Sequence, residues 1–146
     1  MIALGSDHGG LKLKEAIKAH LLSKGLQVRD MGTTSEAACD YPDIAKTVAR
    51  VVLSGEAECG ILCCGTGIGV CIAANKVSGI RAALVCEPVS ARLAKEHNNA
   101  NMLCLGGRIT GDVLACESVD AWLSASFGGD RHLSRINKIT AMEQGE

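Results

Sequence analysis

Residues 64–69, Cys-Gly-Thr-Gly-Ile-Gly, carry the strongest indication of chemistry in this sequence. They join a short apolar run to an amphipathic stretch, so we expect a turn from a strand into a helix. In such a turn the backbone N–H groups and the helix N-terminus face one point, where they stabilise a phosphate or a developing enolate oxygen. Cys64 directly precedes the turn, and a thiol beside a helix N-terminus is stabilised as a thiolate, which can act as a nucleophile or a base.

The residues of this segment are also compatible with two different roles. A tight strand–helix turn needs no ligand, and Glu87, about twenty residues further on, allows a dinucleotide-binding interpretation. Against that interpretation, the spacing is G-x-G-x-G, Val70 occupies the place of the third fingerprint glycine, and there is no Walker lysine. Cys64 could also be a packed thiol, because strand alternation allows only one of Cys63 and Cys64 to face the site.

Acid–base and anion-binding side chains occur at three further places. Asp7 and His8 follow the first predicted strand, and His97 ends a predicted helix. Arg131 and Arg135 lie four residues apart in the last helix, so both can reach a single phosphate. Each of these residues could also have a purely structural role. Asp7 can cap a helix, His8 can be a solvated loop residue, His97 can complement the helix dipole, and the arginines can form a solvated basic face.

Composition and charge exclude several classes of protein. Fifteen Lys and Arg residues against sixteen Asp and Glu residues give a formal net charge of −1, so the chain lacks the excess of basic residues typical of a nucleic-acid-binding protein. Aromatic residues make up 2% of the chain, which disfavours a base-stacking module. No signal peptide and no apolar run near the roughly 20 residues of a membrane span is present. We expect a cytoplasmic protein without nucleic-acid or membrane partners.

The eight cysteines do not form a recognisable metal or disulfide framework. No two are spaced as C-x-x-C, and none pairs with a histidine at zinc-finger spacing. Most lie inside apolar runs, where a thiol behaves as a small buried hydrophobic group in a reducing compartment. We expect no bound metal.

Short apolar runs alternate with amphipathic stretches along the whole chain. Strands are predicted at 2–6, 26–31, 59–64, 80–86 and 102–105. Helices are predicted from Gly9-Gly10 to Gly25, at 41–53, 68–76, 88–97 and 112–126, and after Gly128-Gly129, where Leu133, Ile136, Ile139 and Met142 form an apolar stripe. This alternation predicts an α/β fold, a doubly wound three-layer α/β/α sandwich with a five-stranded parallel sheet. One domain is expected over residues 1–146, with an extra C-terminal helix that could pack against a partner subunit.

Seven short motifs, in the same order along nearly the whole chain, resemble the ribose-5-phosphate isomerase B family. They are Ser-Asp-His-Gly-Gly at 6–10, Asp-Tyr-Pro at 40–42, Cys-Gly-Thr-Gly-Ile-Gly at 64–69, Ala-Ala-Asn-Lys at 73–76, Gly-Ile-Arg-Ala at 79–82, Glu-His-Asn at 96–98 and Gly-Asp-Arg-His at 129–132. The family also includes allose-6-phosphate isomerases and galactose-6-phosphate isomerase subunits. The resemblance implies a Rossmann-like fold, no cofactor, no metal, and a homodimer or dimer of dimers with sites between subunits.

The resemblance also implies a role for each matching residue. Cys64 would be the base that moves a proton between C1 and C2 of the open-chain sugar, and Thr66 would shuttle the hydroxyl proton. The enediolate oxygen would be held by the amides of Gly65, Gly67, Ile68 and Gly69. His97 from the neighbouring subunit would open the furanose ring together with Asp7. The phosphate would be bound by Arg131 and Arg135 with His8 and a cross-subunit Arg108. Other substrate contacts would come from Tyr41, Asn98 and His132.

One variation within the family and one departure from its pattern bear on these roles. Some members have Ser in place of this cysteine and use a Glu a few residues on as the base. Here that stretch, residues 69–72, has no carboxylate, which supports the thiol as base. Asp130 stands where many members have a second glycine, close to the phosphate arginines.

We therefore expect a cofactor-independent aldose–ketose isomerase that interconverts ribose 5-phosphate and ribulose 5-phosphate through an enediolate in the pentose phosphate pathway. Such a reaction needs a base, an oxyanion site, a ring-opening acid–base pair and a phosphate clamp. The alternatives are an allose-6-phosphate or galactose-6-phosphate isomerase, a subunit active only with a paralogous partner, or a non-catalytic nucleotide- or phosphate-binding module.

Overall fold

The computed structural model describes residues 1–145 and contains a five-stranded parallel sheet. The strands are β1 (Ile2–Ser6), β2 (Val28–Asp30), β3 (Cys59–Cys64), β4 (Ala82–Leu84) and β5 (Met102–Gly106). The helices are α1 (Leu11–Ser23), α2 (Tyr41–Leu53), α3 (Ile68–Ala74), α4 (Pro88–Asn98), α5 (Asp112–Ser124) and α6 (Asp130–Glu143), and a 3₁₀ turn covers His8–Gly10. The order across the sheet is β2-β1-β3-β5-β4.

Helices cover both faces of the sheet, which confirms the predicted three-layer sandwich. Successive strand residues point to opposite faces. Ile61 and Cys63 therefore enter the core under α1, α4 and α5, whereas Leu62 and Cys64 enter the core under α2 and α3. Alanine, valine and cysteine make up most of the core under α2 and α3, whereas leucine and isoleucine make up most of the core under α1, α4 and α5.

The two edge strands are shorter than predicted. β2 and β4 have three residues each, whereas the sequence predicts strands over 26–31 and 80–86. An edge strand has a neighbour on one side only, so the residues at its ends give up few hydrogen bonds when they leave the ladder. α3 ends at Ala74 instead of Lys76 because the Asn75 amide group bonds the backbone of Ala82, donating to its carbonyl at 2.9 Å and accepting from its N–H at 2.9 Å. α5 likewise ends two residues early, at Ser124.

An ion pair inside the protein holds β2 to α1. Lys14 is fully buried, and its Nζ donates to both carboxylate oxygens of Asp30, at 3.1 and 2.8 Å, and to the carbonyl of Thr33 at 2.8 Å. Lys18 donates to the same carboxylate at 2.8 Å from the solvent side. Burial raises the pKa of Asp30, but the hydrogen bonds from Lys14, Lys18 and the Gly32 amide outweigh it and leave the pKa below its usual value.

This ion pair predicts a pH dependence of stability. A carboxyl group whose pKa is lowered by folding stabilises the protein above its unfolded-state pKa of about 4, and the contribution is lost as the pH falls through the folded-state pKa. We expect the free energy of unfolding of the wild type to approach that of Asp30→Asn as the pH falls from about 5 to about 2, with most of the change below about pH 4. Urea unfolding of both proteins across this range measures the difference, and a gap that stays constant with pH contradicts the prediction.

The last helix presents an apolar face that its own chain does not cover. Ile136 is buried, whereas Leu133, Ile139 and Met142 are exposed, Met142 at 71%. Glu143 ties the end of α6 to the segment before β4, because its carboxylate accepts from Ser78 Oγ and Gly79 N at 2.9 Å. Packing of α6 on a partner subunit therefore stays a prediction. No helix within residues 1–145 has the length and apolarity needed to cross a membrane.

Candidate active site

The carboxyl ends of the three central strands bring one group of predicted residues together. The register pairs Ser6 with Cys63 and Cys64 with Gly106, so the segments that follow β1, β3 and β5 meet at one edge of the sheet. The Gly107 amide donates to the Cys64 carbonyl at 2.8 Å, and the Arg108 amide donates to the Gly65 carbonyl at 2.9 Å. We call this group, with Asp7, His8, Tyr41, Cys64–Gly69 and Arg108, the thiol edge.

The Cys64 thiol lies at the N-terminal end of α3, as the sequence predicts. Its Sγ accepts a hydrogen bond from the Gly67 amide at 3.1 Å, and the residue is 5% exposed. Cys63 points into the opposite core, where burial raises the pKa of its thiol far above the usual value. Cys64 instead faces the turn, where its Sγ accepts a backbone N–H. The geometry therefore makes Cys64, and not Cys63, the candidate base.

The turn after β3 requires glycine at position 67. Gly67 has φ of +79°, and a Cβ there would lie 2.6 Å from Leu84 Cδ1 and 2.8 Å from the carbonyl carbon of Leu105. An L-residue is strained at this φ, and the backbone contact cannot move away. The Gly67 amide that reaches the thiol thus depends on the absence of a side chain.

We expect Gly67→Ala to unfold more easily than the wild type by about 2 kcal/mol or more, since strain and a backbone clash act together. Isomerisation of sugar phosphates by this variant should also fall, because the amide at Cys64 shifts. Gly111→Ala is the matched control, since Gly111 has φ of −69° and open space around its Cβ position. Chemical denaturation measures both, and equal stabilities would contradict the role assigned to Gly67.

The first turn of α3 lies beside Cys64 and forms part of the thiol edge. The Ile68 amide donates to Thr66 Oγ1 at 3.3 Å, and Thr66 itself is exposed. The Tyr41 ring lies directly over Gly69, where a Cβ would come within 2.8 Å of ring carbon Cζ. The amides of a first helical turn have no carbonyl partners within the helix. Here the Gly67 and Ile68 amides bind Cys64 Sγ and Thr66 Oγ1, so an anionic oxygen would share or replace these acceptors.

Asp7 and His8 close the other side of the thiol edge. Asp7 is buried, and its Oδ1 accepts from the Gly10 amide at 3.0 Å, so it caps the 3₁₀ turn that leads into α1. His8 is half-buried, and its Nδ1 accepts from the Cys39 amide at 3.4 Å. Asp7 thus caps the 3₁₀ turn and not α1, whose N-cap residue is Gly10, and the catalytic role of Asp7 stays a prediction. His8 is held by a contact and is not a free loop residue.

The contact between Cys39 and His8 is one that the sequence does not reveal. Cys39 contributes a backbone N–H, so its residue type carries no signal of the role. Because this N–H donates to Nδ1, the ring proton of neutral His8 lies on Nε2, which can then donate outward.

The remaining predicted residues form a second group at the opposite edge of the sheet. The rings of His97 and His132 stack with centroids 4.4 Å apart and an interplanar angle of 13°. They line a cleft of about 630 Å³ together with Arg131. The pKa of His132 lies below its usual value, mainly because of desolvation and further because of the charges of His97 and the neighbouring arginines. We call this group, with His97, Asn98, Arg131, His132 and Arg135, the histidine edge.

The two groups are separated by the length of the central strands. α4 ends just before β5 begins, and the Gly128 amide binds the Glu96 carbonyl at 2.9 Å, which places the start of α6 beside that end. Cys64 lies beside Gly106 at the far end of β5, and a strand of this length spans about 13 Å. The structure thus does not bring His97 to the Asp7 and Cys64 of its own chain.

The structure also shows where the residues of the expected phosphate clamp lie within one chain. The resemblance groups Arg131 and Arg135 with His8 and brings Arg108 from a second subunit. In the structure Arg108 lies against Gly65 of its own chain, its Nη1 3.1 Å from where a Cβ would stand, and so shares the thiol edge with His8. Arg131 and Arg135 belong to the histidine edge. Within one chain, His8 and Arg108 therefore lie at one edge of the sheet and the two helical arginines at the other, and the phosphate clamp stays a prediction.

The structure also removes the support for dinucleotide binding. Glu87 follows the edge strand β4, which β5 separates from the glycine turn after β3. Its carboxylate accepts from the Val89 and Ser90 amides, both at 2.6 Å, and caps α4. These bonds account for the presence of a carboxylate at Glu87, so this residue does not indicate a ribose-binding role. Within residues 1–145, no three His, Cys, Asp or Glu side chains come together in a way that could hold a metal ion.

The fold and the thiol edge define a class of protein, an α/β sandwich with a glycine-rich strand–helix turn beside a thiol. The family described as Ribose/Galactose Isomerase matches residues 2–139, and this chain belongs to that family. Ribose-5-phosphate isomerase B of Escherichia coli is 51% identical over 98% of this chain and 96% of its own length. The D-erythrulose-4-phosphate isomerase of Pectobacterium atrosepticum is 44% identical over 99% and 96% of the two chains.

Solved structures agree with this membership. The ribose-5-phosphate isomerase B of Clostridium thermocellum superposes with a TM-score of 0.97 at 49% identity, covering 99% of this chain and 97% of its own. The Mycoplasma genitalium ribose-5-phosphate isomerase B, solved with bound ribulose-5-phosphate, superposes at 0.93 with 47% identity, covering 99% and 97%. The chain is therefore an isomerase, an intramolecular oxidoreductase with the Rossmann-like fold that the sequence predicts.

Proposed function

We propose that this protein interconverts ribose 5-phosphate and ribulose 5-phosphate, as a single domain over residues 1–146. The observation that carries the proposal is the Cys64 thiol, which accepts the Gly67 amide at the N-terminal end of α3. It is supported by the relatives named ribose-5-phosphate isomerase B and by the ribulose-5-phosphate held by one of them. This support also favours an enzyme over a non-catalytic phosphate-binding module.

The chemistry requires one proton to move between neighbouring carbons. The Cys64 thiolate removes the proton from C2 of the open-chain aldose, and the electrons of that C–H bond form the C1–C2 double bond of an enediolate. Return of the proton to C1, together with transfer of the O2 proton to O1, yields the ketose. The amides of Gly65, Gly67, Ile68 and Gly69 stabilise the enediolate oxygen. Thr66, whose hydroxyl lies at the same turn, moves the hydroxyl proton.

We further propose that each site forms between two copies of the chain. The histidine edge of one copy would cover the thiol edge of the other, so that His97 meets Asp7 for ring opening. The separation of the two groups within one chain and the uncovered apolar face of α6 support this arrangement. The phosphate would then be bound by His8 and Arg108 of one copy and by Arg131 and Arg135 of the other. Tyr41, Asn98 and His132 would contact the substrate.

A homodimer supplies two such sites by its two-fold symmetry, and a dimer of dimers supplies four. Because Cys64, Thr66, Asp7 and His97 are all present in one chain, a paralogous partner is not required. We place the protein in the cytoplasm. Each of the eight cysteines is a free thiol, and free thiols are kept reduced there.

A direct test is incubation of the purified chain with ribose 5-phosphate in D₂O, followed by NMR. We expect ribulose 5-phosphate, with deuterium at its C1 because the thiol exchanges its proton with solvent. Parallel kinetics with erythrulose 4-phosphate, allose 6-phosphate and galactose 6-phosphate rank substrates of different length. Absence of both ketose and deuterium with ribose 5-phosphate would overturn the proposal, and turnover of another sugar phosphate alone would reassign the substrate.

A further inference from the structure

The buried ammonium group of Lys14 lies outside the two edges described above. Its side chain is 0% exposed, although lysine has a high cost of burial unless it is paired. The acceptors around it are Asp30, with 12% of its side chain exposed, the Thr33 carbonyl, and Glu15 at 2.9 Å. All three hydrogens of the ammonium group therefore have acceptors.

The segment that this ammonium group holds is packed against the end of β1. The Asp30 carboxylate accepts from the Gly32 amide at 3.0 Å, and the Thr33 amide donates to the Ser6 carbonyl at 2.9 Å. Gly32 touches β1 so closely that any Cβ would collide with the Ser6 backbone nitrogen. The next residue after Ser6 is Asp7, so this contact lies directly beneath the thiol edge.

The same segment begins the loop that reaches His8. From Thr33 onward the loop is held by short-range bonds, with the Ser35 amide on Thr33 Oγ1 at 3.2 Å and the Ala37 amide on Ser35 Oγ at 3.2 Å. It ends at Cys39, whose amide binds His8 Nδ1. Lys14 thus holds the fixed end of a loop whose other end orients the imidazole.

We propose that the buried Lys14–Asp30 pair is a positioning pair for substrate binding. The pair fixes residues 30–33 and, through the loop that follows them, the Cys39 amide. That amide in turn holds His8 with its Nε2–H toward the phosphate. This inference rests on the proposed function. Neither Lys14 nor Asp30 touches the substrate. Their effect reaches the phosphate through the loop and through His8, so it should appear in KM more than in kcat.

The test compares Lys14→Met with Lys18→Met. Methionine keeps the unbranched shape of lysine as far as the ε position and removes the charge. Lys18 contacts the same Asp30 oxygen at the same 2.8 Å but is 32% exposed and does not reach Thr33. We expect Lys14→Met to raise KM for ribose 5-phosphate about tenfold, the value of one charge-assisted hydrogen bond, with kcat within about threefold. Lys18→Met should leave both constants near wild type.

A second variant separates positioning from stability. Lys14→Met leaves the Asp30 carboxylate without its buried partner, whereas Lys14→Met/Asp30→Leu removes both charges and is expected to recover thermal stability. We expect the double variant to keep the raised KM. Recovery of both stability and KM, or a Lys14→Met protein with lowered stability and unchanged KM, would overturn the inference.

A measurement that needs no substrate tests the positioning role of Lys14 independently of the proposed function. Nitrogen-15 NMR of histidine side chains reports which ring nitrogen of His8 carries the proton. We expect the Nε2–H tautomer in the wild type and in Lys18→Met, and a mixture of tautomers in Lys14→Met. If the wild type turns over no ribose 5-phosphate, the proposed function fails, while the tautomer result still supports or contradicts the positioning role. An unchanged tautomer in Lys14→Met would contradict it.

Discussion

Replacement of Cys64 by alanine is expected to lower kcat for ribose 5-phosphate by about 10³-fold, within the range that a positioned general base contributes. The KM should stay within about threefold of wild type, because the proposed phosphate ligands are untouched and an effect confined to kcat marks a group that acts in the transition state. Steady-state kinetics of the purified variant measure both constants. Retention of full activity would remove Cys64 from the mechanism.

Cys63→Ala is the matched control for this experiment. The two cysteines are neighbours in β3, but Cys63 enters the core under α1, α4 and α5 and Cys64 the core under α2 and α3. The Cys63 variant removes a buried sulfur of the same size, so it is expected to lose some stability and to keep its kcat. A further distinction comes from binding, since Cys64→Ala should still bind ribose 5-phosphate in calorimetry. Loss of binding would indicate damage to the site and not loss of a base.

Co-expression of two inactive variants is expected to restore activity if the sites form between copies. Cys64→Ala removes the base from the thiol edge, and His97→Ala removes the ring-opening histidine from the histidine edge. In an equal mixture about half of the dimers contain one copy of each variant. Each of these mixed dimers has one intact site out of two, so about a quarter of the wild-type activity should return. Different affinity tags on the two variants isolate the mixed dimers, whose activity should be about half that of the wild type.

The control for this experiment pairs two variants from the same edge. Cys64→Ala with Asp7→Asn leaves every site of a mixed dimer with one missing group, so no activity should return. The same holds for His97→Ala with Arg131→Ala. Recovery in these pairs, or its absence in isolated mixed dimers of Cys64→Ala and His97→Ala, would contradict a site shared between copies.

The chemistry-bearing residues and most element bounds follow from local sequence. The apolar run before Gly65 and the glycine spacing after it place Cys64 at a strand–helix turn, and the structure confirms β1, α2 and β3 at the predicted residues. These features are local because side-chain periodicity and backbone freedom act over a few residues. The bounds of β2 and β4 could not be predicted in this way, since they depend on which strands have only one neighbour.

The amino-acid sequence by itself therefore determined the α/β class, the glycine-rich strand–helix turn and the family to which its motifs belong. Only the tertiary structure decided that His97 and Arg131 lie at the opposite edge from Cys64, that Arg108 belongs with His8, and that Lys14 is buried. The sequence determines which side chains are available, because residue type fixes their chemistry. Strand order and helix direction determine which of them meet, and these depend on contacts between residues far apart in the chain.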